Sequence, residues 1–258
     1  MDLGLDGLRV MVSAGASGIG LVIARAFARE GAKVSVCDVD AAALQAIATS
    51  DPALHACACD VSDRAAVQRW FAAAHERLGG LDCLVSNAGI AGPTGAVESI
   101  APDDWDRCIA VDLTGHFNCV RLAVPALRES ANASIVCVSS LAGRLGFALR
   151  TPYAAAKWGV VGLMRSLAIE LGPDRIRVNA LLPGVVAGSR QKAVLAAKAK
   201  VRGVSFADVE RAAFAATSIK DYVTPEQLAD YAVFLASRRA ATVSGQALSV
   251  CGDTNMLS

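Results

Sequence analysis

Apolar runs of strand length alternate with longer stretches of helical period along the whole 258-residue chain. The short runs fall at 8–13, 32–38, 54–59, 81–86, 133–139, 176–182 and 246–251. Between them, 18–30, 40–49, 63–78, 103–129, 152–171 and 225–237 carry helical periodicity, with start signals at Asp63, Asp103 and Thr224 ahead of Pro225. Repetition of that unit predicts βαβ crossovers, and so an α/β fold with a parallel sheet covered by helices. Residues 189–222 interrupt the rhythm: they are Ala- and Lys-rich, contain no strand pattern, and read as an inserted helical flap. Ligands of open α/β sheets lie beyond the carboxyl ends of the strands, where such an insertion can cover a substrate. No low-complexity linker divides the chain, so one domain spanning 1–258 is expected.

Composition narrows the ligand. Hydrophobic residues make up 54% but aromatics only 5%, leaving Ala, Val, Leu and Ile as the core material of parallel strands and close-packed helices. Lys plus Arg (25) nearly cancel Asp plus Glu (24), which gives no electrostatic reason to bind nucleic acid or an anionic membrane. A small molecule is the expected ligand. The eight cysteines sit in apolar runs without a CxxC pair, which argues for reduced packing residues, no metal site, and a cytoplasmic protein. Met1 to Gly7 does not read as a signal peptide, and no apolar stretch reaches the ~20 residues of a membrane span.

Ser13, Gly15, Ser17, Gly18, Ile19 and Gly20 form a glycine-rich turn between the first strand and a helix. Glycine permits a tight turn and close backbone approach, so the helix N-terminus can offer its amides to a pyrophosphate. Alone, the turn also fits a plain strand-to-helix connection or a methyltransferase site. Asp38 ends the second strand, 18 residues past Gly20, about where a carboxylate meets adenosine ribose hydroxyls. An acid there repels the extra phosphate of NADP, and neither Val39 nor Ser17 supplies a cation, so the expected cofactor is NAD. Asp60 and Val61 close the third strand and suit an adenine pocket; Asn87, Ala88 and Gly89 follow the fourth, small enough to let a dinucleotide pass.

Ser140 follows the fifth strand, and Tyr153 and Lys157 open the next helix. Residues four apart share a helical face, so the ammonium sits near the phenol, and a nearby cation favours phenolate. Ser140 can then donate to a substrate oxygen while Tyr153 exchanges the proton and Lys157 holds a ribose. Arg144, Arg150 and Arg190 fall in segments bordering the expected pocket, and an arginine fork suits a carboxylate, phosphate or sulfonate; surface or subunit contacts are the other reading. His55, His75 and His116 read as packing or surface residues.

In order and spacing, the turn at 13–20, Asp60-Val61, Ser86 to Gly89, Ile135 to Ser140, Tyr153 to Lys157, Arg177 to Ala180, Pro183-Gly184 and Ser244 to Gln246 form a specific set. On these residues the sequence resembles the short-chain dehydrogenase/reductase family over nearly its whole length. The resemblance implies a Rossmann-type, doubly wound, seven-stranded parallel sheet and an oxidoreductase passing a hydride between nicotinamide and a secondary alcohol or ketone. It implies Tyr153 as acid/base, Ser140 as oxygen donor, Lys157 as ribose contact, a cofactor wall at Pro183, Gly184 and Val186, and a homotetramer or homodimer packed through 103–129 and 152–171. The chain departs from the pattern at Ala14, in place of the first glycine; at Asp112, in place of the asparagine that completes the catalytic tetrad; and at Gly188, in place of a threonine, with Ser189 beside it. Two competing readings are an NADPH-linked 3-oxoacyl thioester (acyl-carrier-protein) reductase and a non-catalytic nucleotide sensor or scaffold.

Overall fold

In a computed structural model, which describes residues 3–257, seven strands form one parallel sheet. They are β1 (Arg9–Ser13), β2 (Lys33–Asp38), β3 (His55–Ala58), β4 (Cys83–Ser86), β5 (Ser134–Val138), β6 (Arg177–Pro183) and β7 (Ala247–Val250), in spatial order β3-β2-β1-β4-β5-β6-β7. The helices are α1 (Gly18–Arg29), α2 (Ala41–Ser50), α3 (Arg64–Leu78), α4 (Pro102–Ile109), α5 (Gly115–Arg128), α6 (Thr151–Glu170), α7 (Ser189–Arg202), α8 (Phe206–Ala215) and α9 (Pro225–Ala236). This is the doubly wound Rossmann-type sheet that the sequence predicts. Each expected strand forms within two residues of its predicted limits.

Alternation along β1 shows how both faces are covered. Met11 points into a core with Trp70 of α3, Cys119 of α5 and Met164 of α6. Val10 and Val12 point the other way, toward Phe27 of α1 and Val233 of α9. A sheet buried on both sides needs continuous apolar strands, and β4, β5 and β6 are buried at every position. Helix starts follow the expected signals in part. Asp63 caps α3 through the Ala65 amide, and Thr224 with Gln227 makes a capping box on α9, a device worth about 1 kcal/mol. Asp103 is not a cap: α4 begins one residue earlier, at Pro102 after Ala101, and Asp103 lies in its first turn.

Two departures matter for the site. The helix expected over 103–129 carries a π turn at Ala110–Thr114, between α4 and α5. The inserted segment holds two helices, α7 and α8, around a small core of Leu195, Ala199 and Val209, and a bridge between Val186 and Val223 closes its base. Strand order reverses between β1 and β4, which opens a crevice beyond their carboxyl ends. No helix among the described residues is long and apolar enough to cross a membrane.

Candidate active site

The crevice is a groove of about 480 Å³ running from the glycine turn to α6. At its first end Ser17 precedes α1 without making a side-chain cap, and the first turn holds no acid, so no side chain competes for the amides of Gly18 and Ile19. Such an end attracts an anion. Close packing fixes the turn: a Cβ on Gly20 would stand 2.0 Å from the Ala14 carbonyl oxygen, and one on Gly15 2.7 Å from Val36. Ala14 takes a left-handed φ of 50°, a conformation that glycine adopts without cost, which explains why the family pattern favours glycine there.

Asp38 faces the turn. Its carboxylate accepts from the Ala16 amide at 3.2 Å and the Val39 amide at 2.8 Å, and it lines the groove. Asp60 also lines it, but its carboxylate is committed to Ser62 and to Arg107 at 2.9 Å; burial pushes it up, and these partners prevail and hold it below the usual carboxylate range. Val61, Asn87, Ala88 and Gly89 complete this stretch of wall. Ser13 and Gly15 lie beneath the wall and not on it. The Ser13 hydroxyl accepts from the amides of Asn87 and Ala88 at 2.9 and 3.0 Å, bracing the end of β1 against the loop after β4.

The other end brings Ser140, Tyr153 and Lys157 to one surface. The Ser140 oxygen accepts from the Ala142 amide at 3.1 Å, which leaves its proton for an outside acceptor. Ser139 donates to the Lys157 carbonyl at 2.8 Å, and a Cβ on Gly143 would fall 2.5 Å from that same oxygen, so the turn after β5 is clamped against α6. Lys157 is 3% exposed and donates to the Val138 carbonyl at 3.2 Å; its ammonium is 5.7 Å from the Tyr153 ring centre. A Cβ on Gly89 would stand 3.1 Å from the ammonium, so a larger residue here would crowd this lysine.

Asp112 sits in the π turn, fully buried, 3.9 Å from the Lys157 ammonium. Its Oδ1 accepts from the Ile90 amide at 2.6 Å, while Oδ2 has no hydrogen bond. Burial raises its carboxyl above the usual range despite the opposing pull of Lys157. The π turn thus places the residue that departs from the family pattern against Lys157.

Pro183, Gly184 and Val186 form the far wall, with Ser189 beside them. Gly188 has a φ of 149° and precedes α7. Of the three arginines, Arg150 and Arg190 border a second cavity next to Tyr153, whereas Arg144 is exposed and bonded to Ser249 at 3.3 Å. Two groups went unread in the sequence. Arg107 stands on α4 among Asp103, Asp104 and Asp106, where it resembles an ordinary solvated charge, and only the approach of α4 to the end of β3 brings it to Asp60. Lys198 is one lysine in a Lys-rich stretch, and nothing local marks it as the one that is 2% exposed.

A family model described as Enoyl-(Acyl carrier protein) reductase matches residues 13–253. The chain is 37% identical over 253 residues to trans-4-hydroxycyclohexanecarboxylate dehydrogenase of Sinomonas cyclohexanicum, covering 94% of this chain and 90% of that one. It is 34% identical over 247 residues to D-beta-hydroxybutyrate dehydrogenase of Cupriavidus necator, covering 93% and 95%. Among solved structures it is similar to an actinorhodin polyketide ketoreductase with NADPH, with a TM-score of 0.89 and 33% identity over 94% of this chain and 95% of that one. The crevice fits a nicotinamide dinucleotide: Gly18, Gly20, Ala88, Gly89 and Gly184 keep its lining low, and an uncapped helix end faces the groove. With Ser17 to Gly20, Asp60-Val61, Asn87 to Gly89, Ser140, Tyr153, Lys157 and Pro183-Gly184 gathered on that groove and the match spanning nearly its full length, the chain belongs to the short-chain dehydrogenase/reductase family of oxidoreductases.

Proposed function

We propose that this chain is an NAD-dependent dehydrogenase that interconverts a secondary alcohol and its ketone. The observation that carries the reading is the convergence of Ser140, Tyr153 and Lys157 on the groove whose far end is framed by the α1 amides and Asp38. Bound nicotinamide would accept the hydride from the carbinol carbon, or return it to the carbonyl. The chain's own groups handle the proton. Ser140, its oxygen already engaged by the Ala142 amide, donates to the substrate oxygen. Tyr153 takes the hydroxyl proton during oxidation and gives it back during reduction, and Lys157 steadies the ionised phenol and holds a ribose. Asp112 orients Lys157 from behind.

Asp38 supports NAD over NADP, since a ribose phosphate would meet its carboxylate, while Arg107 is already paired with Asp60. Two of the relatives above are named for secondary hydroxy acids, which supports the alcohol class. The whole chain works as one unit in this reading, with α7 and α8 covering the substrate. Apolar side chains exposed on α5 and α6, Phe117, Trp158 and Ile169, support self-association as a homotetramer or homodimer, and the eight free thiols suit a reducing cytoplasm. The test is Tyr153→Phe. The variant should bind NADH as the parent does and lose turnover by about 10²–10⁴-fold. Full activity in the variant would refute the mechanism, and faster parent turnover with NADPH than with NADH would refute the cofactor.

A further inference from the structure

A second cavity, of about 110 Å³, opens directly beside the hydroxyls of Ser140 and Tyr153. Arg150 forms part of its wall at 2% exposure. The guanidinium lies 5.0 Å from the centre of the Tyr153 ring and 5.4 Å from that of Phe147. One of its N–H groups donates to the Ala91 carbonyl, and its Nε has no hydrogen bond at all. Arg190, at the start of α7, lines the same cavity and donates to the Gly89 carbonyl. Lys198 reaches the region from α7, its ammonium 3.8 Å from the Phe147 ring centre.

These charges act against one another. Burial, with a smaller contribution from Arg190, lowers Arg150 against the opposing pull of Tyr153, Cys108 and Asp112, and burial together with Arg202 and Arg150 pushes Lys198 down to about 7. Among the described residues no carboxylate makes an ion pair with Arg150 or Arg190. A buried guanidinium with unused donors is costly unless something anionic meets it, and a planar fork is best met by an oxyanion. Arg150 gives one N–H to a backbone carbonyl, keeps its Nε unpaired, and lines a cavity that it shares with Ser140 and Tyr153.

We propose that the substrate carries a compact oxyanion, a carboxylate or a sulfonate, a few atoms from the reacting carbon, and that Arg150 and Arg190 hold it. This specifies the substrate class within the dehydrogenase reading and rests on that reading for the place of the reacting carbon. The small cavity favours a short hydroxy acid over a long acyl chain.

The test pairs binding with turnover. The protein saturated with NADH is titrated calorimetrically with butyrate, propanesulfonate and butyramide, and NADH oxidation is followed with 4-oxopentanoate against 4-oxopentanamide. At least one anion should bind roughly tenfold or more tightly than butyramide, and whichever of butyrate and propanesulfonate binds tighter identifies the group. Arg150→Met should abolish that preference and Arg150→Lys should restore part of it. Arg190→Gln, at an exposed helix start where folding is not at risk, should weaken anion binding by a larger factor than NADH binding, since Arg190 also borders the cofactor groove. Butyramide binding as tightly as both anions would overturn the proposal, as would an Arg190→Gln variant that loses NADH affinity and keeps its anion affinity. Tight anion binding with no reduction of either ketone would leave the subsite standing and sink the dehydrogenase reading. Equal reduction of the acid and the amide would do the reverse.

Discussion

Asp112 shows what one substituted atom does in a buried setting. An asparagine there could accept from the Ile90 amide just as Asp112 does, without introducing a charge. The carboxyl is raised above its ordinary 3.8 because desolvation outweighs the attraction of Lys157. A raised carboxyl favours the fold below the unfolded value, and that contribution is lost as pH rises through the folded value. Asp112→Asn should therefore match the parent in stability below about pH 3.8 and exceed it at neutral pH, in urea titrations at several pH values. The same change removes a negative charge beside Lys157, so the ammonium acts more strongly on the phenol. That an acid stands at this place was legible in the sequence. Its burial and its orphaned oxygen were not, because both depend on a π turn that helical periodicity cannot register. For Ser13 and Gly15 the turn was legible and their place beneath the groove was not: which face of a turn is open depends on β2 and β4, far away in sequence.

At the scale of elements, the site depends on how tightly the turn after β5 seats on α6. Ser140 comes from one side of that contact and Tyr153 and Lys157 from the other, so their separation is set by a backbone-to-backbone approach that Gly143 permits. Gly143→Ala places a methyl 2.5 Å from the Lys157 carbonyl oxygen, an atom that helical hydrogen bonding keeps from yielding. The expected cost is about 1–3 kcal/mol of stability. Turnover should fall further than NADH affinity, since the pyrophosphate end of the groove is built from α1 and is not disturbed. Thermal denaturation and a comparison of kcat with the NADH dissociation constant check both parts, and equal losses in the two would locate the damage elsewhere. The strands were legible to within two residues because a sheet covered on both faces forces unbroken apolar runs. Helix starts were legible where a side chain caps the helix, as at Asp63 and Thr224, and misplaced where backbone and proline set the start, as at Pro102.

For the whole molecule, two cores on opposite sides of one sheet hold the crevice open at the strand ends, and few charges lie inside them. His116 is the exception with the clearest consequence. It is 1% exposed on α5, and burial with the nearby Lys157 charge outweighs the opposing pull of the Ala88 backbone and pushes it down from 6.5 to about 3. The folded protein therefore keeps this ring neutral where the unfolded chain would protonate it. Its contribution is fully present above about pH 6.5 and is lost as pH falls toward 3, with a slope of up to about 1.4 kcal/mol per pH unit. His116→Leu leaves no group to titrate and removes a buried polar ring, so at pH 7 it should be at least as stable as the parent. Between pH 6 and 4 the parent should lose stability faster, and the gap between the two should widen steadily as acid is added. Parallel curves over that range would show that another group, and not this ring, governs acid unfolding.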